Sequence, residues 1–259
     1  MTDIPLEDRG FALGHGLFET VLWSNDGPEH WDAHVERLER GCRALALPLP
    51  DRAALRMTAE VAIEARGSPR RAAVRLNWSA GVGDRGLDPP STLRPQLTAL
   101  ASNLAPPAGP ARLAIAHVRR NDRSPASRLK TMSYLDNVIA RAEARSAGAD
   151  EALMLNTAGE VACAAAANVF WLRHNEVFTP DLACGVLDGV IRREVIAACH
   201  NLGLALHEVF ANPGRLAGAP MFLTNSLIGV REVSSLDGQE LPPSPLIAAI
   251  ARQVSRMPK

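Results

Sequence analysis

Residues 129–138 read Leu129-Lys130-Thr131-Met132-Ser133-Tyr134-Leu135-Asp136-Asn137-Val138. The segment holds one of only two lysines in the chain, although basic residues number 28; the other is the terminal Lys259. It also holds the only tyrosine, Tyr134. Arginine serves nearly everywhere that a surface cation would do, so a mid-chain lysine points to chemistry arginine cannot perform. Lysine can lose its proton and act as an amine nucleophile. A genomic bias toward arginine codons leaves the same pattern, and composition holds the two readings level. Lys130 lies between a polar loop and a helix expected from Ser133 to about Ala147, stopped by Gly148. Burial at such a junction would lower its pKa and permit Schiff-base chemistry. The helix is expected to turn Leu135, Val138, Ile139 and Ala142 inward.

The surrounding chain is that of a soluble globular protein. It has 259 residues, 47% hydrophobic and 22% charged, enough for one large domain or two small ones. Basic and acidic residues balance at 28 each, so no electrostatic footprint for nucleic acid or an anionic membrane exists. No apolar run reaches the roughly 18 residues that a spanning helix needs. Met1-Thr2-Asp3-Ile4 shows neither a basic nor an apolar signal region, so no secretory signal is expected. Cys42, Cys163, Cys184 and Cys199 have no CxxC spacing, which argues against a zinc site and a disulfide framework. A cytoplasmic setting is expected.

Outward from Lys130, residues 18–23 read as a strand and the Trp31–Leu45 stretch as an amphipathic helix ended by Pro48 and Pro50. A second helix spans about Asp51 to Arg66, with Asp51 as N-cap. Ala72–Trp78 and Leu97–Ala101 read as strands. Three prolines between Asn103 and Ala111 mark a linker. The expected division is a small N-terminal domain over residues 1–105, a linker over 106–111 and a larger domain over 112–259. In the latter, Arg112–Val118, Glu151–Leu155, Asn168–Leu172, Leu204–Val209 and Met221–Thr224 read as strands. Gly189 opens a helix that Gly203 ends.

Three motifs fail on inspection. Gly81-Val82-Gly83-Asp84-Arg85-Gly86 matches GxGxxG, but Leu87-Asp88-Pro89-Pro90 follows where a dinucleotide site needs a helix, so it reads as a surface loop. Ser127-Arg128-Leu129-Lys130 matches SxxK without the Lys-Thr-Gly strand that such serine enzymes require. His30 and His34 sit four apart, with no third ligand at recognisable spacing, so no metal is expected.

Several motifs in order carry a family resemblance. Gly14-His15-Gly16-Leu17-Phe18-Glu19-Thr20, His34-Val35-Glu36-Arg37-Leu38, the segment 129–138, Ala149–Asn156 with Gly159-Glu160-Val161, Asn168-Val169-Phe170, Thr179-Pro180 and Leu187–Arg192 resemble the class IV pyridoxal-phosphate enzymes. These include branched-chain and D-amino-acid aminotransferases and 4-amino-4-deoxychorismate lyase. The resemblance runs from about residue 9 to 233. It implies fold type IV, a mixed α/β (α+β) architecture with a small N-terminal α/β domain and a larger barrel-like C-terminal domain. It implies pyridoxal 5'-phosphate between them, near a homodimer interface.

By the same resemblance Lys130 would be the Schiff-base lysine and Arg37 the phosphate-binding arginine, a guanidinium fork suiting a phosphate. Read on its own, Arg37 is equally a solvated helix arginine beside Arg40 and Arg43. Gly189, Val190 and Ile191 would offer backbone N–H groups to the phosphate from a helix N-terminus. Ile191 stands where many relatives have threonine. In Thr224-Asn225-Ser226, the second phosphate loop, Ser226 would donate a hydroxyl. Tyr134 would reach the cofactor's phenolic oxygen.

Cys163 is the main departure, because relatives place there the glutamate that keeps the pyridine nitrogen protonated. His15 replaces the usual aspartate of GDG. The Gly-Leu-Phe-Glu-Thr opening, residues 163–171 and Gly189–Arg192 look most like aminodeoxychorismate lyases, which release pyruvate and 4-aminobenzoate. A transaminase of D-amino, branched-chain or amine substrates is the alternative. A third reading is a cofactor-binding protein with little turnover. The two enzymatic readings take a small-molecule amino substrate; the third binds the cofactor or a partner.

Overall fold

The computed structural model describes residues 4–256. Residues 1–3, read above for an export signal, and Lys259 lie outside them. Contacts divide the chain into two compact units, one of residues up to 105 with 129–133, the other of 106–128 and residues from 134. The segment bearing Lys130, which the sequence division gave to the C-terminal domain, thus packs with the N-terminal unit.

That unit begins with a short helix α1 (Arg9–Leu13), strand β1 (Gly16–Ser24) and a two-residue β2 (Gly27–Pro28). Helices α2 (Trp31–Ala44) and α3 (Arg52–Ala65) follow, then β3 (Ala72–Ser79) and β4 (Gln96–Asn103). The strands form one antiparallel sheet in the order β2-β1-β3-β4. On β3 the residues alternate, with Ala72, Val74 and Leu76 buried and Ala73, Arg75 and Asn77 half-buried, as a sheet covered on one face requires. Leu17 joins Val35, Leu38, Cys42, Leu55, Ala59 and Ile63 of the two helices in the core. Helix α2 lies so close to β1 that a Cβ on Gly41 would stand 2.8 Å from Leu17 Cδ1. Asp51 caps α3 by accepting the Ala54 N–H at 2.8 Å.

The 129–133 segment pairs with β1 along its first half, which β2 does not reach. Phe18 N–H donates to the Lys130 carbonyl and Met132 N–H to the Gly16 carbonyl, each at 2.9 Å. Leu17 and Thr131 form the bridge between them.

The GxGxxG stretch is a loop, and what it encloses is an arginine. Arg9, 3% exposed, donates to the carbonyls of Gly86, Leu87 and Asp88, and its Nε donates to His15 Nδ1 at 3.3 Å. A Cβ on Gly83 would meet Arg9 Cδ at 2.7 Å, so the glycine makes room for the arginine stem.

The second unit carries β5 (Ala111–Ile115), a one-turn α4 (Pro125–Arg128), α5 (Leu135–Ser146), β6 (Glu151–Leu155), β7 (Val161–Ala164), β8 (Asn168–Arg173) and β9 (Glu176–Pro180). Then come α6 (Val190–Asn201), β10 (Leu206–Val209), β11 (Met221–Asn225), β12 (Gly229–Leu236), β13 (Gln239–Glu240) and α7 (Pro245–Arg256). The nine strands make one mixed sheet in the order β10-β9-β8-β11-β12-β5-β6-β7, with β13 beside β12, curled into a half-barrel. One core gathers Leu113, Leu153, Val169, Trp171, Met221 and Leu223. A second is built almost entirely of small residues, among them Ala140, Ala144, Ala152, Ala162 and Cys163.

Helix α5 corrects the sequence reading. Leu135, Val138 and Ile139 are exposed at 68%, 61% and 41%, while Asn137, Ala140 and Ala144 are buried. Both sets recur at helical spacing, so periodicity offers two faces. The alanine face is the one that can approach the alanines of β6 and β7 closely enough to pack densely. No helix among the described residues is long and apolar enough to cross a membrane. The four cysteines are buried and unpaired.

Candidate active site

In the N-terminal unit the site is organised by two consecutive residues of β1. Successive side chains of a strand point to opposite faces. Phe18 lies under Lys130, whose Nζ is 4.2 Å from the ring centroid, and Arg75 Cζ is 3.7 Å from the same ring. Arg75 is in turn oriented by donating from Nε to Asn77 Oδ1 at 2.8 Å. Lys130 is half-buried on the edge of β1, its backbone fixed by the Phe18 N–H.

Glu19 projects to the other face, toward α2. Its carboxylate, 2% exposed, accepts from Arg37 Nε at 2.8 Å and Arg37 Nη2 at 2.6 Å. Oε2 is also 2.7 Å from His34 Nδ1. Burial alone would raise the Glu19 carboxyl, but Arg37 and His34 outweigh it and hold it well below the usual carboxylate range. The ionised carboxylate can only accept, so His34 Nδ1 carries the proton. Burial lowers the His34 pKa against the pull of Glu19, and Arg37 and Lys130 lower it further. His34 is therefore a neutral donor. Arg37 is 10% exposed, so it is a paired arginine fixed in place and not the solvated helix cation its sequence neighbours suggested.

His15 is also held neutral. Burial, then Arg9, lowers its pKa, and Nδ1 accepts from Arg9, which puts the ring proton on Nε2. An aspartate here would form an ion pair with Arg9; the imidazole gives a neutral acceptor instead.

In the C-terminal unit, Gly189 is the N-cap of α6 and has no side chain to satisfy the first N–H groups. Val190 and Ile191 follow as the first residues of α6, buried at 2% and 4% exposure, and their N–H groups lie in the helix turn that has no intrahelical acceptor. A Cβ on Gly189 would stand 2.1 Å from Asn168 Oδ1. Asn168 also donates to the Leu187 carbonyl at 2.9 Å and pairs across the sheet with Thr224. It thereby joins the start of α6 to the end of β11 and the turn after it. Thr224 Oγ1 is buried there without a hydrogen-bond partner. Asn225 uses its side chain within the turn, accepting from the Leu227 and Ile228 N–H groups and donating to the Ala166 carbonyl. Ser226 follows on the same turn, half-buried. Tyr134 precedes the first turn of α5 and is likewise half-buried.

Cys163 is 6% exposed on β7, paired with Met154 of β6. Burial pushes its thiol up; Arg120 pulls it down and Glu151 pushes it up further. Arg120, itself 6% exposed, donates to the carbonyls of Gly185 and Ser127 and to Asn137 Oδ1. Asn137 passes the connection to the Ala165 carbonyl at 2.7 Å. The neighbourhood of Cys163 thus contains a buried cation held by neutral acceptors.

The donor set suits a phosphorylated aldehyde. The N-terminal unit holds a primary amine and a fixed arginine, and the C-terminal unit by itself holds an uncapped helix N-terminus and an orphaned buried hydroxyl; these are groups suited to attachment and to anion contacts. A neutral thiol such as that of Cys163 could not hold a pyridinium as a carboxylate does. Sequence reasoning named Lys130, Arg37, Tyr134, Cys163 and the two loops, and missed Glu19, His34, Arg75, Arg120 and Asn137 as working side chains. A charged residue inside the apolar run of β1 was the available signal for Glu19.

The amino-transferase class IV profile matches residues 16–236. An aminodeoxychorismate lyase from Vibrio harveyi is 30% identical over 92% of this chain and 89% of its own. One from Bacillus subtilis is 31% identical over 86% of this chain and 78% of its own. The crystal structure of a candidate 4-amino-4-deoxychorismate lyase from Legionella pneumophila superposes with a TM-score of 0.91 at 29% identity, over 99% of this chain and 96% of that one. The branched-chain aminotransferase of Thermoproteus uzoniensis shares the fold, with a TM-score of 0.90 at 24% identity over 98% of this chain and 89% of that one. The chain belongs to the class IV aminotransferase family, whose members are pyridoxal-phosphate-dependent enzymes.

Proposed function

We propose that the protein is a cytoplasmic pyridoxal-phosphate-dependent lyase that converts 4-amino-4-deoxychorismate to 4-aminobenzoate and pyruvate. The similarity to aminodeoxychorismate lyases over nearly the whole chain carries the reading. When bound, the cofactor would supply an electron sink for loss of the proton at the substrate's amino-bearing carbon, and the enolpyruvyl C–O bond that breaks lies on the neighbouring ring carbon. Lys130 is the covalent attachment point and the amine that carries protons during turnover. Arg37, the N–H groups of Gly189, Val190 and Ile191, and Ser226 hold the phosphate. Asn225 shapes the turn that presents Ser226, and Tyr134 contacts the phenolic oxygen. Cys163 faces the pyridine nitrogen and leaves it without an anionic partner. A weakened electron sink suits an elimination whose product is aromatic, because aromatisation supplies driving force that transamination lacks.

The transaminase reading draws on the 27% identity to a candidate branched-chain-amino-acid aminotransferase of Methanocaldococcus jannaschii, over 91% of this chain. The same thiol favours the third reading, cofactor binding without turnover. Product analysis separates the three. Incubation with 4-amino-4-deoxychorismate should yield pyruvate and 4-aminobenzoate in equal amounts. Keto acid formed from D- or L-amino acids only with an added acceptor would favour the transaminase, and no product from either would favour binding alone.

The exposed face of Leu135, Val138 and Ile139 is the surface that a second copy of the chain covers in the homodimer we infer. Sedimentation at micromolar concentration should show a dimer, and Val138→Asp should shift it toward monomer. A wild-type monomer would contradict the assignment.

Cys163→Glu should raise the rate of the half-reaction with a reactive amino donor, provided that the variant folds and binds cofactor normally. A folded, cofactor-loaded variant with an unchanged rate and an unchanged absorption spectrum would remove Cys163 from the ring nitrogen.

A further inference from the structure

Glu19 has no part of its own in the proposed reaction, yet it is a nearly fully buried acid, 2% exposed, that grips Arg37. Its carboxylate takes the Nε and Nη2 edge of Arg37 in a two-point contact, at 2.8 and 2.6 Å. His34, 1% exposed and neutral, locks the same carboxylate from the other side at 2.7 Å. A guanidinium is planar, so fixing one edge fixes the plane and the direction of the remaining N–H groups. The backbone of Glu19 is fixed in turn by its place in β1, one residue after Phe18, whose N–H holds the Lys130 carbonyl. Lys130 and Arg37 are therefore set from two adjacent residues of one strand, on its two faces.

We infer that Glu19 is a positioning residue for cofactor capture: it orients Arg37 toward the phosphate, with His34 as its brace. This rests on Arg37 being a phosphate ligand. Two opposing effects meet at this carboxylate. Its negative charge disfavours a nearby phosphate, while its grip removes the rotamer entropy that a long arginine would otherwise lose on binding. The two-point geometry and near-complete burial make orientation the larger effect. An Arg37 released from Glu19 would have many rotamers, and few would present a fork to the anion.

The test compares dissociation constants of pyridoxal 5'-phosphate and of pyridoxal, which lacks the phosphate, for the apoprotein and its variants. Pyridoxal reports attachment at Lys130 alone, so the ratio of the two constants isolates the phosphate contribution. Arg37→Ala should cut the preference for the phosphorylated form by about tenfold or more, the loss of charge-assisted hydrogen bonds. If it does not, the phosphate role of Arg37 is wrong. Given that loss, Glu19→Gln should cut the preference by a similar factor while leaving pyridoxal binding unchanged. The phosphorus-31 resonance of bound cofactor should shift with it. Glu19→Asp keeps the charge but shortens the reach, and should lose about threefold, since it retains one of the two points of contact. An unchanged or increased preference in Glu19→Gln, or equal weakening of both ligands, overturns the inference. Should Glu19→Gln not fold, Glu19→Asp decides alone: a reduced preference supports the positioning role and an unchanged one overturns it.

Discussion

The ion pair between Glu19 and Arg37 is the constraint around which the N-terminal unit is arranged. An ionised carboxylate at 2% exposure is tolerable only with its charge matched and its lone pairs satisfied, and Arg37 with His34 does both. Removing one partner of such a pair typically costs about 3–5 kcal/mol, because the other is left charged and dry. That cost binds α2 to β1 in one register. Gly41 permits the approach, since any side chain there would strike Leu17. The edge of β1 beyond the reach of β2 is then available to the 129–133 segment. The lysine thus owes its place to a strand more than a hundred residues before it, and not to the helix that follows it.

The C-terminal unit solves a similar problem with neutral groups. Arg120 is as buried as Cys163 but donates to two carbonyls and an amide oxygen, with no acid in the set. Hydrogen bonds from a charged donor are the stronger kind, and they offset part of its desolvation. The charge it retains makes an anionic thiolate or a pyridinium in that neighbourhood two different propositions. The first would be drawn to the cation and the second repelled by it. With burial keeping the thiol neutral, electrostatics there disfavour a protonated ring. The proposed lyase reading fits the proposed placement of Cys163 at the ring nitrogen, since elimination to an aromatic product asks least of that nitrogen.

Much of the fold was legible where local signals are strong. Asp51 capping α3, Gly189 opening α6 and the proline-rich break before β5 follow from side-chain hydrogen bonding, an open helix end and fixed φ. What escaped notice was decided by tertiary context. The β7 strand is Val161-Ala162-Cys163-Ala164, too short and too poor in branched residues to announce itself. The face of α5 was misread because its large apolar residues look like core and its alanines do not, although only alanines fit against the alanines of β6 and β7. The failed GxGxxG motif was read rightly as a loop, but no local rule says that its carbonyls would converge on Arg9. For the candidate site, the sequence singles out residue types with distinctive chemistry, such as Lys130 and Arg37, and not Glu19 and His34, whose contacts brace Arg37.

The central claim is that Lys130 carries the cofactor. Reconstitution with pyridoxal 5'-phosphate, reduction with borohydride and peptide mapping by mass spectrometry would locate the bond. The account predicts one phosphopyridoxyl group per chain, on the peptide containing Lys130. A label on another residue, or none in cofactor-saturated protein, would contradict it.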